Sequence, residues 1–306
     1  MTPPDDLPRL PNRRRDTSKR DYGRVVVVGG AAGMAGAPAL AAMAALKSGA
    51  GLVEMLVPEQ IVATAASFDP CVMTRGLPGQ ADGTFAAAGL QEILARTASA
   101  DAVAVGPGLG RSAAVVQIVS HLWHHLPQPA IFDADALWAL SIGSLSLGAL
   151  SVGTKTAADP SIAAAHAGPR ILTPHAGEML RLLGRDPSSS QAGDRPLLER
   201  EAAAVAAAID AVIILKGPAT LIVDRTRSAH NETGNPGMAT GGTGDVLTGV
   251  TAALLAQGLF PFDAARLAAW VHGRAGDAAA ESLGEISMTA RDLLDRLHIA
   301  FRAVMV

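Results

Sequence analysis

Glycine, threonine and a single carboxylate are concentrated in one stretch, Asn235-Pro236-Gly237-Met238-Ala239-Thr240-Gly241-Gly242-Thr243-Gly244-Asp245-Val246-Leu247-Thr248-Gly249. Val246, Leu247, Val250, Ala253 and Leu254 then recur at helical spacing, and Gln257-Gly258 closes the run, which predicts a helix starting at or near Asp245. The first amides of such a helix have no intrahelical partner and sit at the positive end of its dipole. Gly241, Gly242 and Gly244 let backbone approach a ligand closely. Together these features make an anion site, most naturally for a phosphate. A fixed carboxylate would repel that phosphate, unless Asp245 faces the attacking hydroxyl instead. A base beside an anion hole is what in-line phosphoryl transfer to a hydroxyl requires. A capped helix after a tight loop is the plainer alternative; the density of glycine ahead of an apolar helix favours the site.

Other candidate groups stand at the ends of apolar runs. Lys216, after Val212-Ile213-Ile214-Leu215, can meet phosphate oxygens as a point charge. Asp133 follows Ala130-Ile131-Phe132 and suits a ligand or a Mg²⁺–phosphate contact, while Asp135 equally suits capping of the next helix. His175 follows Arg170-Ile171-Leu172-Thr173-Pro174 at a strand's edge, open to a ligand or to a structural role. Glu178 suits a helix N-terminus. Gly29-Gly30-Ala31-Ala32-Gly33-Met34-Ala35-Gly36-Ala37 follows Val25–Val28 and fits either a tight turn or close backbone approach to a ligand lined by Ala37. It is neither G-x-G-x-x-G nor a P-loop. Gly106-Pro107-Gly108-Leu109-Gly110 follows Ala102–Val105.

The elements that must position these groups are strands alternating with helices. Apolar β-branched runs read as buried parallel strands at 25–28, 52–57, 102–105, 130–132, 170–172 and 212–215, with a further strand at 221–223 after a Gly-Pro turn. Helices are expected through 40–47, after Pro58, and at 85–96, 115–126, 135 onward, 178–183, 199–210, 245–257, 261–281 and from 289. The pattern predicts an α/β fold, a doubly wound, mostly parallel sheet with helices on both faces. Glycine-rich turns at 29–36, 106–110, 174–177 and 216–218 would then share one sheet edge and converge on one cleft. Residues 1–21 read as a flexible leader, and 22–306 as a single domain.

The 306 residues are 49% hydrophobic and 17% charged, which suits a globular enzyme with a large core. A net charge of -3 and 3% aromatics argue against nucleic acid as a partner. Cys71, the only cysteine, excludes an internal disulfide and a zinc cluster and reads as a small buried hydrophobe. His121, His124 and His125 on one helix have no acidic partner in sequence, so no metal ligands are expected. No apolar stretch is long enough to span a bilayer, no secretory signal is recognised, and cytoplasm is the expected location.

Taken together, these residues resemble the ADP-dependent NAD(P)H-hydrate dehydratase family of the ribokinase-like superfamily, from Tyr22 to the C-terminus. Asn235 to Gly249, the Thr-Pro-His-x-Gly-Glu pattern within Thr173 to Leu183, Gly106 to Gly110, Asp133 to Leu137 and Ser48 to Val53 carry the resemblance. It implies a repair reaction on NADH or NADPH hydrated at carbon 6 of the nicotinamide ring. A nucleotide phosphorylates that hydroxyl, and phosphate then leaves to restore the dihydropyridine. By the same resemblance Asp245 is the catalytic base. Ala37, Gly108, His175 and Asp245 bind the hydrate. Lys216, Gly217, Pro218, Ala219 and Thr220, with Gly242, Thr243 and Gly244, bind the nucleotide. ADP is the expected donor, with Mg²⁺ bridging its phosphates, and a homotetramer is the expected assembly. Only about twenty polar residues precede the first strand, so the expectation is a stand-alone dehydratase for the S epimer, without the N-terminal epimerase domain of many bacterial members. The nearest competing expectation is a superfamily kinase for a hydroxylated vitamin precursor; a non-catalytic nucleotide-sensing module is a second.

Overall fold

A computed structural model describes residues 2–143 and 166–305. Among these residues nine strands form one sheet in the order β3-β2-β1-β4-β5-β6-β7-β8-β9. They are β1 (Arg24–Val28), β2 (Leu52–Pro58), β3 (Met73–Leu77), β4 (Ala102–Val105), β5 (Ala130–Phe132), β6 (Arg170–Leu172), β7 (Val212–Leu215), β8 (Thr220–Val223) and β9 (Ser228–Asn231). All neighbours from β3 to β7 are parallel, and β7-β8-β9 are antiparallel. The helices are α1 (Gly36–Lys47), α2 (Val62–Ala66), α3 (Leu90–Thr97), α4 (Ala113–His125), α5 (Asp135–Ile142), α6 (Ala176–Leu182), α7 (Arg195–Ile209), α8 (Thr243–Ala256), α9 (Pro261–Leu283) and α10 (Ala290–Val304).

A strand that is apolar on both sides must be covered on both sides. In β1, Val25 and Val27 enter one core with α1, α8, α9 and α10, while Val26 and Val28 enter a second with α3 to α7. The doubly wound architecture follows from that sequence pattern. The same edge of the sheet collects the glycine turns. Gly30 N donates to Pro107 O at 2.8 Å, Gly110 N to Asp135 Oδ2 at 3.0 Å, and Lys216 N to Pro174 O at 2.8 Å. The loops after β1, β4 and β5 are therefore tied in series, and those after β6 and β7 are tied to each other, along the same edge.

Several elements differ from expectation. Met73-Thr74-Arg75-Gly76-Leu77 is an edge strand, and Ser228–Asn231 closes the other edge; both are largely exposed and lack an apolar alternation to betray them. Phe85 is fully buried and lies before its helix, in a bridge with Gly79. Cys71 is exposed rather than buried. The stretch read as a leader also makes contacts with the domain. Leu7 is buried in the first core, Asp6 pairs with Arg266 at 2.8 Å, and Arg13 donates to Gly49 O at 2.6 Å while stacking on Tyr22.

Helix α8 lies directly on α1. A Cβ at Gly249 would collide with the carbonyl oxygen of Ala41, so only glycine permits this approach. Gly249→Ala is expected to lower stability by about 1–3 kcal/mol, because the helices must separate. Urea unfolding measures it; an unchanged midpoint would show that the crossing has slack.

Candidate active site

The Asn235–Gly249 stretch folds as a turn, a bend and then α8. Asn235 accepts from Gly237 N at 3.0 Å, and Gly242 takes a left-handed φ of 93° immediately before the helix. Thr243 Oγ1 donates to Met238 O at 2.9 Å and lies 3.0 Å from Thr240 O, folding the loop back onto itself. Gly242 also faces Leu40 of α1, where a Cβ would stand 2.7 Å from Leu40 Cδ1. The N-terminus of α8 is thus presented beside that of α1, on the sheet edge that carries the other candidates.

Lys216 connects them. Its ammonium lies 2.9 Å from Asp133 Oδ1 and 3.6 Å from Glu178 Oε2. Thr248 of α8 donates to the other Asp133 oxygen at 2.8 Å. A Cβ on Gly244 would sit 3.4 Å from Lys216 Nζ, so the cation abuts the first turn of α8. Burial opposes the charge on Lys216, but Asp133 and Glu178 outweigh it and raise its pKa. Burial likewise opposes ionisation of Asp133, and the charge of Lys216 overcomes it, holding that carboxyl below the ordinary range. This pair is ionised.

Asp245 is treated differently by the same surroundings. Burial and the neighbouring Asp133 charge raise its pKa to about 7, with Lys216 pulling the other way and Asp135 and Glu178 adding to the rise. A carboxyl poised near neutrality beside a row of free amides can take a proton from a hydroxyl at physiological pH. His272, buried on α9, stands 2.8 Å from Thr243 O through Nε2. Burial lowers its pKa to about 4, so it is neutral and donates to that carbonyl, fixing the start of α8.

The residues expected to bind the hydrate gather nearby. Gly108 packs against α1, where a Cβ would lie 3.1 Å from Ala37 Cβ. His175 is the N-cap of α6: its Nδ1 accepts from Gly177 N at 3.1 Å and Glu178 N at 3.3 Å, while Glu178 returns a bond from His175 N at 2.9 Å. The ring nonetheless remains exposed at the cleft. Asp135 does not cap its helix. It holds Gly110 N and, at 3.2 Å, Arg111 Nε, and so anchors the loop after β4. Gly217, Pro218, Ala219 and Thr220 form the β7–β8 hairpin, where Thr220 Oγ1 donates to Gly217 O at 3.0 Å.

Three supporting groups escape a sequence reading. Arg195 of α7 pins the hairpin from outside by donating to Leu215 O, Lys216 O and Ala219 O at 3.1–3.2 Å. Thr248 and His272 act through α8. Arg195 and His272 lie outside the motifs; Thr248 falls within the Asn235–Gly249 stretch, where its helical spacing after Asp245 is the available signal. Among the described residues no group of three or more histidine, cysteine or carboxylate side chains is placed to hold a metal ion.

A family model described as NAD(P)H-hydrate dehydratase matches residues 25–298. The chain belongs to this family. The NAD(P)H-hydrate dehydratase resemblance read from Asn235–Gly249 and Thr173–Leu183 therefore holds, and the ribokinase-like sheet goes with it. A bifunctional NAD(P)H-hydrate repair enzyme of Moorella thermoacetica is 44% identical over 294 residues, 96% of this chain and 52% of that protein. The chain thus spans about half the length of the curated relatives it first matches. An ADP-dependent (S)-NAD(P)H-hydrate dehydratase of Neisseria meningitidis is 37% identical, over 93% of this chain and 89% of the relative. Among solved structures, the ADP/ATP-dependent NAD(P)H-hydrate dehydratase of Bacillus subtilis, co-crystallised with ATP and Mg²⁺, superimposes with a TM-score of 0.75 at 27% identity, covering 97% of this chain and 95% of that one.

A histidine neutral when folded costs stability once the unfolded chain can bind a proton. Stability linked to His272 is complete above about pH 6.5 and is lost as pH falls towards 4. His272→Gln keeps a donor and does not titrate. Over that interval it is expected to lose less stability than the wild type, by about 1–3 kcal/mol. Denaturant melts at pH 7, 5.5 and 4.5 measure the difference, and parallel losses would show that His272 is not held neutral.

Proposed function

We propose that this chain is the dehydratase for the S epimer of NADH and NADPH hydrates, using ADP as phosphoryl donor and releasing AMP and phosphate. The observation that carries the proposal is the pairing of Asp245, with its pKa near 7, to the free amides of α8 at Gly242, Thr243 and Gly244. Family membership and the names of the Neisseria and Bacillus relatives support the reaction and the donor.

The steps follow from the residues present. The hydrate enters with its ring against Ala37 and Gly108 and with His175 at the cleft's rim. Asp245 takes the proton of the carbon-6 hydroxyl. That oxygen attacks the terminal phosphorus of ADP, the P–O bond to AMP breaks, and the amides at the head of α8 hold the transferring group where its charge is spread over three oxygens. Hydroxide is a poor leaving group and phosphate a good one. The ring nitrogen's lone pair expels phosphate from carbon 6, and loss of a proton from carbon 5 restores the dihydropyridine. Atoms balance as hydrate plus ADP giving NAD(P)H, AMP and phosphate. Lys216 offers one positive charge at the phosphates without leaving its carboxylates.

Mg²⁺ belongs to the proposal as a companion of the nucleotide. Asp133 and Glu178 are already turned to Lys216, so the described residues offer no dedicated cage, and the ion fits as one bound by the phosphates, where it would neutralise their charge. A homotetramer in the cytoplasm completes the reading on the strength of the family resemblance; no helix among the described residues is long and apolar enough to cross a membrane.

Purified protein with NADH hydrate, Mg²⁺ and ADP is expected to restore absorbance at 340 nm. Restoration with ATP alone would reverse the donor, and none with either would remove the activity. The rate at limiting hydrate should rise as pH increases through about 7 and then level, as Asp245 ionises. Asp245→Asn should cut turnover by about 10²–10⁴-fold. Relieved of a buried charge, the variant should also be more stable than the wild type at pH 8, by up to about 4 kcal/mol, with no gain at pH 4. Unchanged turnover in this variant would rule out Asp245 as the base.

A further inference from the structure

Beside His175, on the α5 and α6 side of the sheet edge, lies a groove walled by Arg111, Trp138, His175, Glu178, Arg181 and Pro187. Its acidic neighbours are spent. Asp135 holds Gly110 N and Arg111 Nε, and Glu178 holds His175 N and faces Lys216. Its cations are not. Arg111 meets Asp135 through Nε alone, leaving its terminal nitrogens uncommitted, and its guanidinium lies 5.5 Å from the Trp138 ring centre. The Arg181 side chain has no hydrogen bond or ion pair among the described residues, although it is partly buried in the groove wall. His175 Nδ1 accepts two amide hydrogens, and its Nε2 lies 3.5 Å from Glu178 Oε1. Two guanidinium ends and an indole wall match a phosphate ester attached to a planar base.

Two adenosine phosphates take part in the proposed reaction, the donor and the far half of the dinucleotide substrate. Position separates them. The donor's expected residues, Lys216 to Thr220 and Gly244, run from the β7 end to α8, whereas the groove continues from His175 across the other face of the sheet. We infer that this groove seats the adenosine-phosphate half of the NAD(P)H hydrate, with Arg111 and Arg181 on its phosphates and Trp138 along its base. The inference rests on the reaction proposed above.

The test uses two substrates, NADPH hydrate and the hydrate of reduced nicotinamide mononucleotide, which lacks the adenosine-phosphate half. Arg181→Ala should raise KM for NADPH hydrate by about 10–100-fold with kcat within about twofold, because a charge-assisted contact made equally in ground and transition states is lost. The KM for ADP and both constants for the mononucleotide hydrate should not change, and Arg181→Lys should recover most of the loss. An equal rise for the mononucleotide, a rise in the KM for ADP instead, or no rise at all would each overturn the inference. Calorimetric titration with NADPH itself separates this result from a failure of the proposed reaction. Wild-type binding weakened in Arg181→Ala would uphold the groove even without turnover, and equal binding by both would reject it.

Discussion

The ion pair between Lys216 and Asp133 is the constraint on which the site depends. It joins the end of β7 to the end of β5 across β6, and Thr248 ties the same carboxylate to α8. Both charges are buried, and removing one partner would strand the other, a situation that costs about 3–5 kcal/mol. Glu178 lends a second carboxylate, so the cluster carries more negative charge than Lys216 can balance. Asp245 is itself buried, and burial together with that surplus negative charge raises its pKa to about 7. Fold and proposed chemistry meet here: what closes the sheet edge also sets the charge around Asp245.

Around this pair, close backbone contact does the positioning. Gly249 lets α8 lie on α1, and Gly108 lets the loop after β4 touch Ala37. Larger residues would push apart the two helix N-termini that frame the cleft. The supports are placed one layer out: Arg195 on the hairpin, His272 on Thr243, Asp135 on the loop after β4. Each satisfies a backbone group that would otherwise be buried alone or left free to wander.

Much of this was legible in the amino-acid order. Buried parallel strands announce themselves as unbroken apolar runs, so β1, β2 and β4 to β7 were readable, and the glycine turns at their ends gave the converging edge. The anion loop and Asp245 were readable because glycine density and a helix start coincide. The edge strands were not, since β3 and β9 have exposed polar residues and no pattern that distinguishes them from loop. The roles of Asp135 and His175 were only half visible. A carboxylate before a helix suggests a cap, and nothing local reveals that Asp135 reaches back 25 residues to Gly110. Lys216 at a strand's end reads as a candidate phosphate contact, but its carboxylate partners lie 83 and 38 positions away and meet it only through the sheet order. The leader's contacts through Leu7 and Arg13 were hidden by its polar composition.

The central claim is that the hydrate's own oxygen is phosphorylated before it leaves. NADH hydrate labelled with ¹⁸O at the carbon-6 hydroxyl, turned over with ADP in unlabelled water, decides it by mass spectrometry of the phosphate released. The account predicts one ¹⁸O in each phosphate formed and none in AMP. Label recovered in water, with unlabelled phosphate, would contradict it and would mean that ADP hydrolysis and dehydration are separate events at this site.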